Sequence, residues 1–150
     1  MWRCISVSDA PSSMVSPSVS STWRTGLTSV GIALVANLVV LGVARLAGAD
    51  MLVQRSETVT AMMIGVGPVS VLTVGPMLLA TLLLLPLRRW GARAWHALAV
   101  TGLVVALVTV PAPFTMLAEG STRVALALMH VIAGVVWFIV VRRAARRAQA

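Results

Sequence analysis

The sequence predicts an all-α fold, an integral membrane bundle of four transmembrane helices with both termini cytoplasmic. Three observations predict it. Residues 25–44, 58–87, 94–118 and 124–141 contain no charged side chain, and each window approaches or exceeds the roughly 20 residues that cross a hydrocarbon core of about 30 Å. The chain is 59% hydrophobic and only 11% charged, against about 25% charged residues in soluble domains. Its net charge of +8 is also lopsided. The excess sits in the amino-terminal arm (Arg3 and Arg24 against Asp9), in the second loop (Arg88, Arg89, Arg93) and in the tail (Arg142, Arg143, Arg146, Arg147). In the first loop Arg45 and Arg55 are balanced by Asp50 and Glu57, and in the third Arg123 is balanced by Glu119. Arginines near short loops stay in the cytoplasm, which places both ends and the Arg89 loop there. Backbone groups in lipid must be satisfied within their own segment, so the windows are helices; the alternation of a membrane barrel is absent.

Residues 1–24 form a serine-rich arm with Pro11 and Pro17, a composition that buries no core and is expected to be disordered and cytoplasmic. Met14 is a second candidate start alongside Met1. The transmembrane domain spans 25–143, with helices expected at about 26–44, 68–87, 94–113 and 124–141. In helix one, Ser29, Ala33, Ala36, Asn37, Val40 and Ala44 recur at three- and four-residue spacing, a small-residue face that lets another helix approach closely. The following Ala47-Gly48-Ala49 imitates a signal-peptidase site, but the apolar run before it is longer than the 7–15 residues of a signal core. Helix two carries Val66-Gly67-Pro68 and its echo Val74-Gly75-Pro76; each proline removes a helical hydrogen bond, so kinks are expected at Pro68 and Pro76. Residues 58–67 are left to lie in the interface or re-enter. Helix three stops at Pro111-Ala112-Pro113. Trp90, Trp95 and Trp137 fall near the arginine-rich ends, where amphipathic rings anchor at the lipid surface. Residues 144–150 form a basic tail, and Arg88, Arg89, Arg93, Arg142, Arg143, Arg146 and Arg147 read as lipid-facing basic anchors.

Intramembrane polar groups are few. Asn37, Thr73, Thr109 and His130 fall in the outer half of the four helices and define one polar layer, the single constellation that the sequence offers. Asn37 and His130 are at nearly the same depth and are expected to partner each other across the bundle. One chain cannot hold a haem between His96 and His130, because their depths differ by roughly 15 Å, whereas two axial nitrogens on one iron lie far closer; the alternative left open is a pair of His130 side chains across a dimer. No carboxylate pair, metal-ligand cluster or activated nucleophile is present at motif spacing, so no catalytic, cofactor-binding or metal site is expected and the chain does not read as an enzyme. The membrane topology accounts for the positive charge, which leaves no case for nucleic acid. The lone Cys4 forms no intrachain disulfide.

Ala36-Asn37-Leu38-Val39 leading to Ala44-Arg45-Leu46-Ala47-Gly48, the proline-bearing end of helix three, and Leu126-Ala127-Leu128-Met129-His130 together resemble an actinobacterial family of small four-span membrane proteins catalogued only as a domain of unknown function. The resemblance covers about residues 22–143. It implies a bacterial plasma membrane and a four-helix unit, and no activity. The functional expectation is a non-enzymatic protein acting through helix packing, with the bilayer and its anionic inner leaflet as surroundings and a second copy or a larger membrane complex as partner. The alternative is a small oligomeric transporter or channel built on the polar layer.

Overall fold

A computed structural model describes residues 18–147. Met14, Cys4 and most of the serine-rich arm lie outside the described residues. Four α-helices carry the chain: α1 (Val19–Leu46), α2 (Val66–Leu87), α3 (Gly91–Thr109) and α4 (Gly120–Arg147). Three helical stretches are long and apolar enough to cross a membrane, namely Val19–Leu46, Val66–Thr115 and Gly120–Arg147. The second of these holds both α2 and α3. It bends at Gly91, whose φ of 71° suits a residue without a Cβ.

The helices extend beyond the charge-free windows. α1 begins at Val19 rather than near Gly26, because Ser18 caps it by accepting from the Ser21 N–H; the end of the arm is therefore helical rather than disordered. α4 runs to Arg147, so the start of the basic tail is helical as well. Pro68 lies in the first turn of α2, where N–H groups have no intrahelical acceptor, and does not interrupt it. Pro76 and Pro86 are the prolines inside that helix. Ala47-Gly48-Ala49 is the C-terminal cap of α1. Gly48, at φ 89°, donates to the Arg45 carbonyl and Ala49 to that of Ala44, both at 3.0 Å, the paired bonds of a Schellman motif.

One feature falls outside the all-α expectation. Three short strands, β1 (Leu52–Gln54), β2 (Met62–Met63) and β3 (Leu117–Ala118), form an antiparallel sheet in the order β2-β1-β3. Residues 58–67 thus run into an edge strand. The sheet gathers the end of α1 and the starts of α2 and α4 at one end of the bundle. Thr122 at the start of α4 accepts from the Met51 N–H at 3.2 Å and donates to Asp50 at 3.0 Å. Glu119 accepts from the Asp50 N–H at 3.3 Å. Because strands at this end flank Val66–Thr115 on both sides, that stretch leaves the sheet and returns to it: α2 and α3 are a hairpin with its turn at Arg88–Trp90.

Across the bundle the order is α2, α1, α4, α3. α1 packs on both α2 and α4, α4 packs on α3, and α2 touches α3 little although the two are consecutive. Of the small-residue face expected on α1, Ser29, Ala33 and Asn37 are buried, in one stripe with Gly26, while Ala36, Val40 and Ala44 are half-buried; the buried part is consumed inside the chain. Close approach there and between α3 and α4 depends on missing side chains. A Cβ at Gly26 would overlap Thr81, one at Gly102 would overlap Trp137, and one at Gly134 would overlap Ala106. Two buried hydroxyls return to their own helices, Ser29 donating to Gly26 O and Thr81 to Met77 O at 2.7 Å each. They pack as small residues with no need of a partner.

Trp95 and Trp137 are 1% and 3% exposed, in one cluster with Val30, Ala33, Leu84 and Val141. They are core residues and not surface anchors. Trp90, 62% exposed with the Arg89 guanidinium 4.9 Å from its ring, keeps an anchor's position. Exposed valines, leucines and isoleucines cover the outward faces of all four helices, an apolar surface that water does not tolerate at this extent.

A lateral cleft lined by the polar layer

Where α2 and α3 stand apart, the bundle holds a half-open cleft of about 620 Å³. Its walls are Leu72 to Leu83 on α2 and Leu98 to Thr109 on α3, with parts of α1 and α4 between them. Pro76 faces it, and the missing N–H of that residue leaves the Leu72 carbonyl without its helical donor. At the turn end, Leu84 and Trp95 pack in one cluster and join the hairpin.

All four residues of the expected polar layer line this cleft: Asn37, Thr73, Thr109 and His130. Their bonding differs from the expected pairing. Asn37 Nδ2 donates to Thr73 Oγ1 at 2.9 Å, a buried bond between α1 and α2. His130 Nδ1 lies 2.8 Å from the Leu126 carbonyl of its own helix. A carbonyl only accepts, so Nδ1 carries the proton of this bond, and Nε2 has no hydrogen-bond partner among the described residues. Thr109 donates to the Val105 and Ala106 carbonyls at 3.0 and 2.9 Å. Depth placed the four residues on one level, whereas rotation about each helix decided which of them meet.

Asn37 is 3% exposed and its Oδ1 has no hydrogen-bond partner among the described residues. Thr73 engages one end of the amide, and whichever way the group is turned the other end remains over. The cleft is thus an apolar slot with unused hydrogen-bonding capacity at Asn37 and His130. His130 is the one titratable residue in its lining. The glycine and proline signals of helix two pointed to irregular backbone, but nothing in the sequence marked the gap between α2 and α3. The basic residues expected as anchors lie at the turn end, away from this layer: Arg88 and Arg89 in the turn, Arg93 on α3, and Arg142, Arg143, Arg146 and Arg147 on α4.

The Asn37–Thr73 bond is open to a double-mutant cycle. Asn37→Ala and Thr73→Val are each expected to lower thermal stability in detergent, and the double variant should lose less than the sum by about 0.6–2 kcal/mol. Asn37→Ala combined with His130→Ala should be additive. Additivity of the first pair would remove the bond from the account.

A bundle of long apolar helices with a cleft at lipid-facing level defines the class: a helical membrane-spanning protein. The chain belongs to the Family of unknown function (DUF6069), whose profile matches residues 17–147. Comparisons with curated proteins and with solved structures found no match.

Proposed function

We propose that this is a four-span protein of the bacterial plasma membrane, with both termini cytoplasmic, that has no enzymatic activity and acts by helix packing. In this reading the cleft receives an apolar helix of a second copy or of a membrane partner. Four crossings are supported by the hairpin: α2 and α3, with 22 and 19 residues, are about 33 and 29 Å long, each near the thickness of the hydrocarbon core. The arginines at the turn and at the end of α4 support the orientation. The observation that carries the packing role is the unfilled cleft. Protein interiors close to crystal-like density, and the α1 face that the sequence offered for a partner is already occupied. A slot with apolar walls and two spare polar groups accepts a helix face carrying a small donor, since cross-helix hydrogen bonds in lipid register a packed pair.

One observation favours a second reading, a small oligomeric transporter or channel: the four polar residues share a single cleft. A single set of cysteine variants in a Cys4→Ser background separates the two. Leu79→Cys and Val105→Cys, both lining the cleft, are expected to photo-cross-link to a second chain through a benzophenone maleimide, whereas Val39→Cys, exposed on α1 outside the cleft, should not. Gln54→Cys should react with an impermeant maleimide from outside, and Arg89→Cys only after permeabilisation. Absence of any protein adduct at both cleft positions, with labelling there by water-soluble reagents, would replace packing by transport. Reversed accessibility of Gln54 and Arg89 would overturn the orientation.

A further inference from the structure

At the end of the bundle away from the sheet, α3 and α4 flank a second, half-open pocket of about 310 Å³, lined by Ala92, Arg93, His96, Arg142, Ala145 and Arg146. We propose that this pocket binds one phosphate group, supplied by an anionic lipid headgroup or by free phosphate. The site is separate from the cleft and does not depend on the role given to it.

Two helical repeats build it. Arg93 and His96 are three residues apart on α3, and Arg142 and Arg146 four apart on α4, so each pair shares a helix face. Buried Trp95 and Ala99 on α3 pack in one cluster with Val141 and Ala145 on α4, which turns the two basic faces towards one pocket. Ala92 and Ala145 leave the room between them. Arg143 and Arg147, neighbours in sequence, do not line it. The Arg142 guanidinium is held 5.3 Å from the Phe138 ring and is half-buried, so part of its ordering is already in place before a ligand arrives.

Among the described residues no carboxylate compensates this charge. The described carboxylates are Asp50, Glu57 and Glu119; Asp50 and Glu119 are tied together at the sheet, and Glu57 is in the same loop as β1 and β2. Three guanidinium groups gathered on one pocket repel one another, and an anion relieves that repulsion. Guanidinium forks match the oxygens of a phosphate two at a time, with a strength and geometry that a chloride ion does not reproduce. Helix ends of a membrane bundle lie at headgroup level, where basic pockets between helices take lipid phosphates.

The test uses the full chain purified in mild detergent. Native mass spectrometry after addition of phosphatidylglycerol or phosphatidylcholine counts bound lipid, and calorimetry with inorganic phosphate gives the second arm. One phosphatidylglycerol per chain is expected, in preference to phosphatidylcholine. The double variant Arg93→Gln/Arg146→Gln should weaken it by roughly fivefold per arginine. The matched double Arg143→Gln/Arg147→Gln, which removes the same charge outside the pocket, should leave it within about twofold on the same scale. Saturable binding of inorganic phosphate with this same variant pattern, and no preference among lipids, would assign the pocket to free phosphate. Equal weakening by both doubles would show diffuse attraction and overturn the proposal, as would no weakening by the pocket double. Should the glutamine pair fail to fold, Arg93→Lys/Arg146→Lys keeps the charge and loses the fork, and is expected to bind more weakly than the parent chain. Undiminished binding in that variant overturns the bidentate assignment.

Discussion

Replacing Trp137 by alanine is expected to destabilise the bundle by about 3–5 kcal/mol, the range for removing a buried tryptophan. The ring lies over Gly102, with no room for a Cβ beneath it, and its Nε1 donates to the Leu98 carbonyl of α3 at 3.3 Å. It belongs to the cluster that joins all four helices and at the same time lines the cleft. Its loss leaves a void continuous with that cleft, which neighbouring side chains fill poorly. Trp137→Phe keeps most of the ring and loses the hydrogen bond, so a decrease of about 0.5–1.5 kcal/mol is expected. Thermal unfolding in detergent distinguishes the two. A change below about 1 kcal/mol for the alanine variant, well short of the core-truncation range, would return Trp137 to the lipid surface.

Gly26→Leu is expected to have the second large effect, loss of folded protein from the membrane fraction. A Cβ at residue 26 already overlaps the Thr81 side chain, and Thr81 has no freedom to retreat: it is 0% exposed and its hydroxyl is bonded to Met77 O. A leucine there must push α2 away from α1, an overpacking cost beyond the usual 1–3 kcal/mol. The collision is specific, so it is reversible. Gly26→Ala should be harmful alone and regain most of its stability with Thr81→Ala, which vacates the same space. Gly31→Leu and Gly42→Leu, at positions with nothing within 4 Å of a Cβ, should be tolerated, within about 0.5 kcal/mol or better. If all three leucine variants behave alike, α1 and α2 do not meet at Gly26.

The helices were legible because lipid admits no charged side chain, so charge-free windows show where the chain is buried in it. The facing of each helix was less legible. In water, apolar and polar faces differ; here Val39 towards lipid and Val30 towards α2 or α4 are the same residue type, and the contrast that orients a soluble helix is missing. That is why proximity to arginines assigned Trp95 and Trp137 to the surface, and why depth alone paired Asn37 with His130. The small-residue face of α1 was readable, since only close contact explains small side chains at that spacing. Strands of two or three residues carry no period to detect, and Pro68 was misread because a helix start and a helix interior look alike until the cap is seen. The tail arginines were visible as a patch. Their meeting with Arg93 and His96 is a tertiary fact that no local spacing encodes.

The spatial order α2, α1, α4, α3 has a consequence for how the protein is made. The ribosome delivers the helices in numerical order, yet α3 has its main contact with α4 and little with α2. When α3 has been made, the surface it will pack against does not yet exist. Gly102 and Ala106 lack the groups they pack against until Trp137 and Gly134 arrive. Synthesis of α4 therefore completes two interfaces at once, one with α1 and one with α3. Until α4 is made, the nascent chain is a pair of helices with a third held to them by little more than its tether.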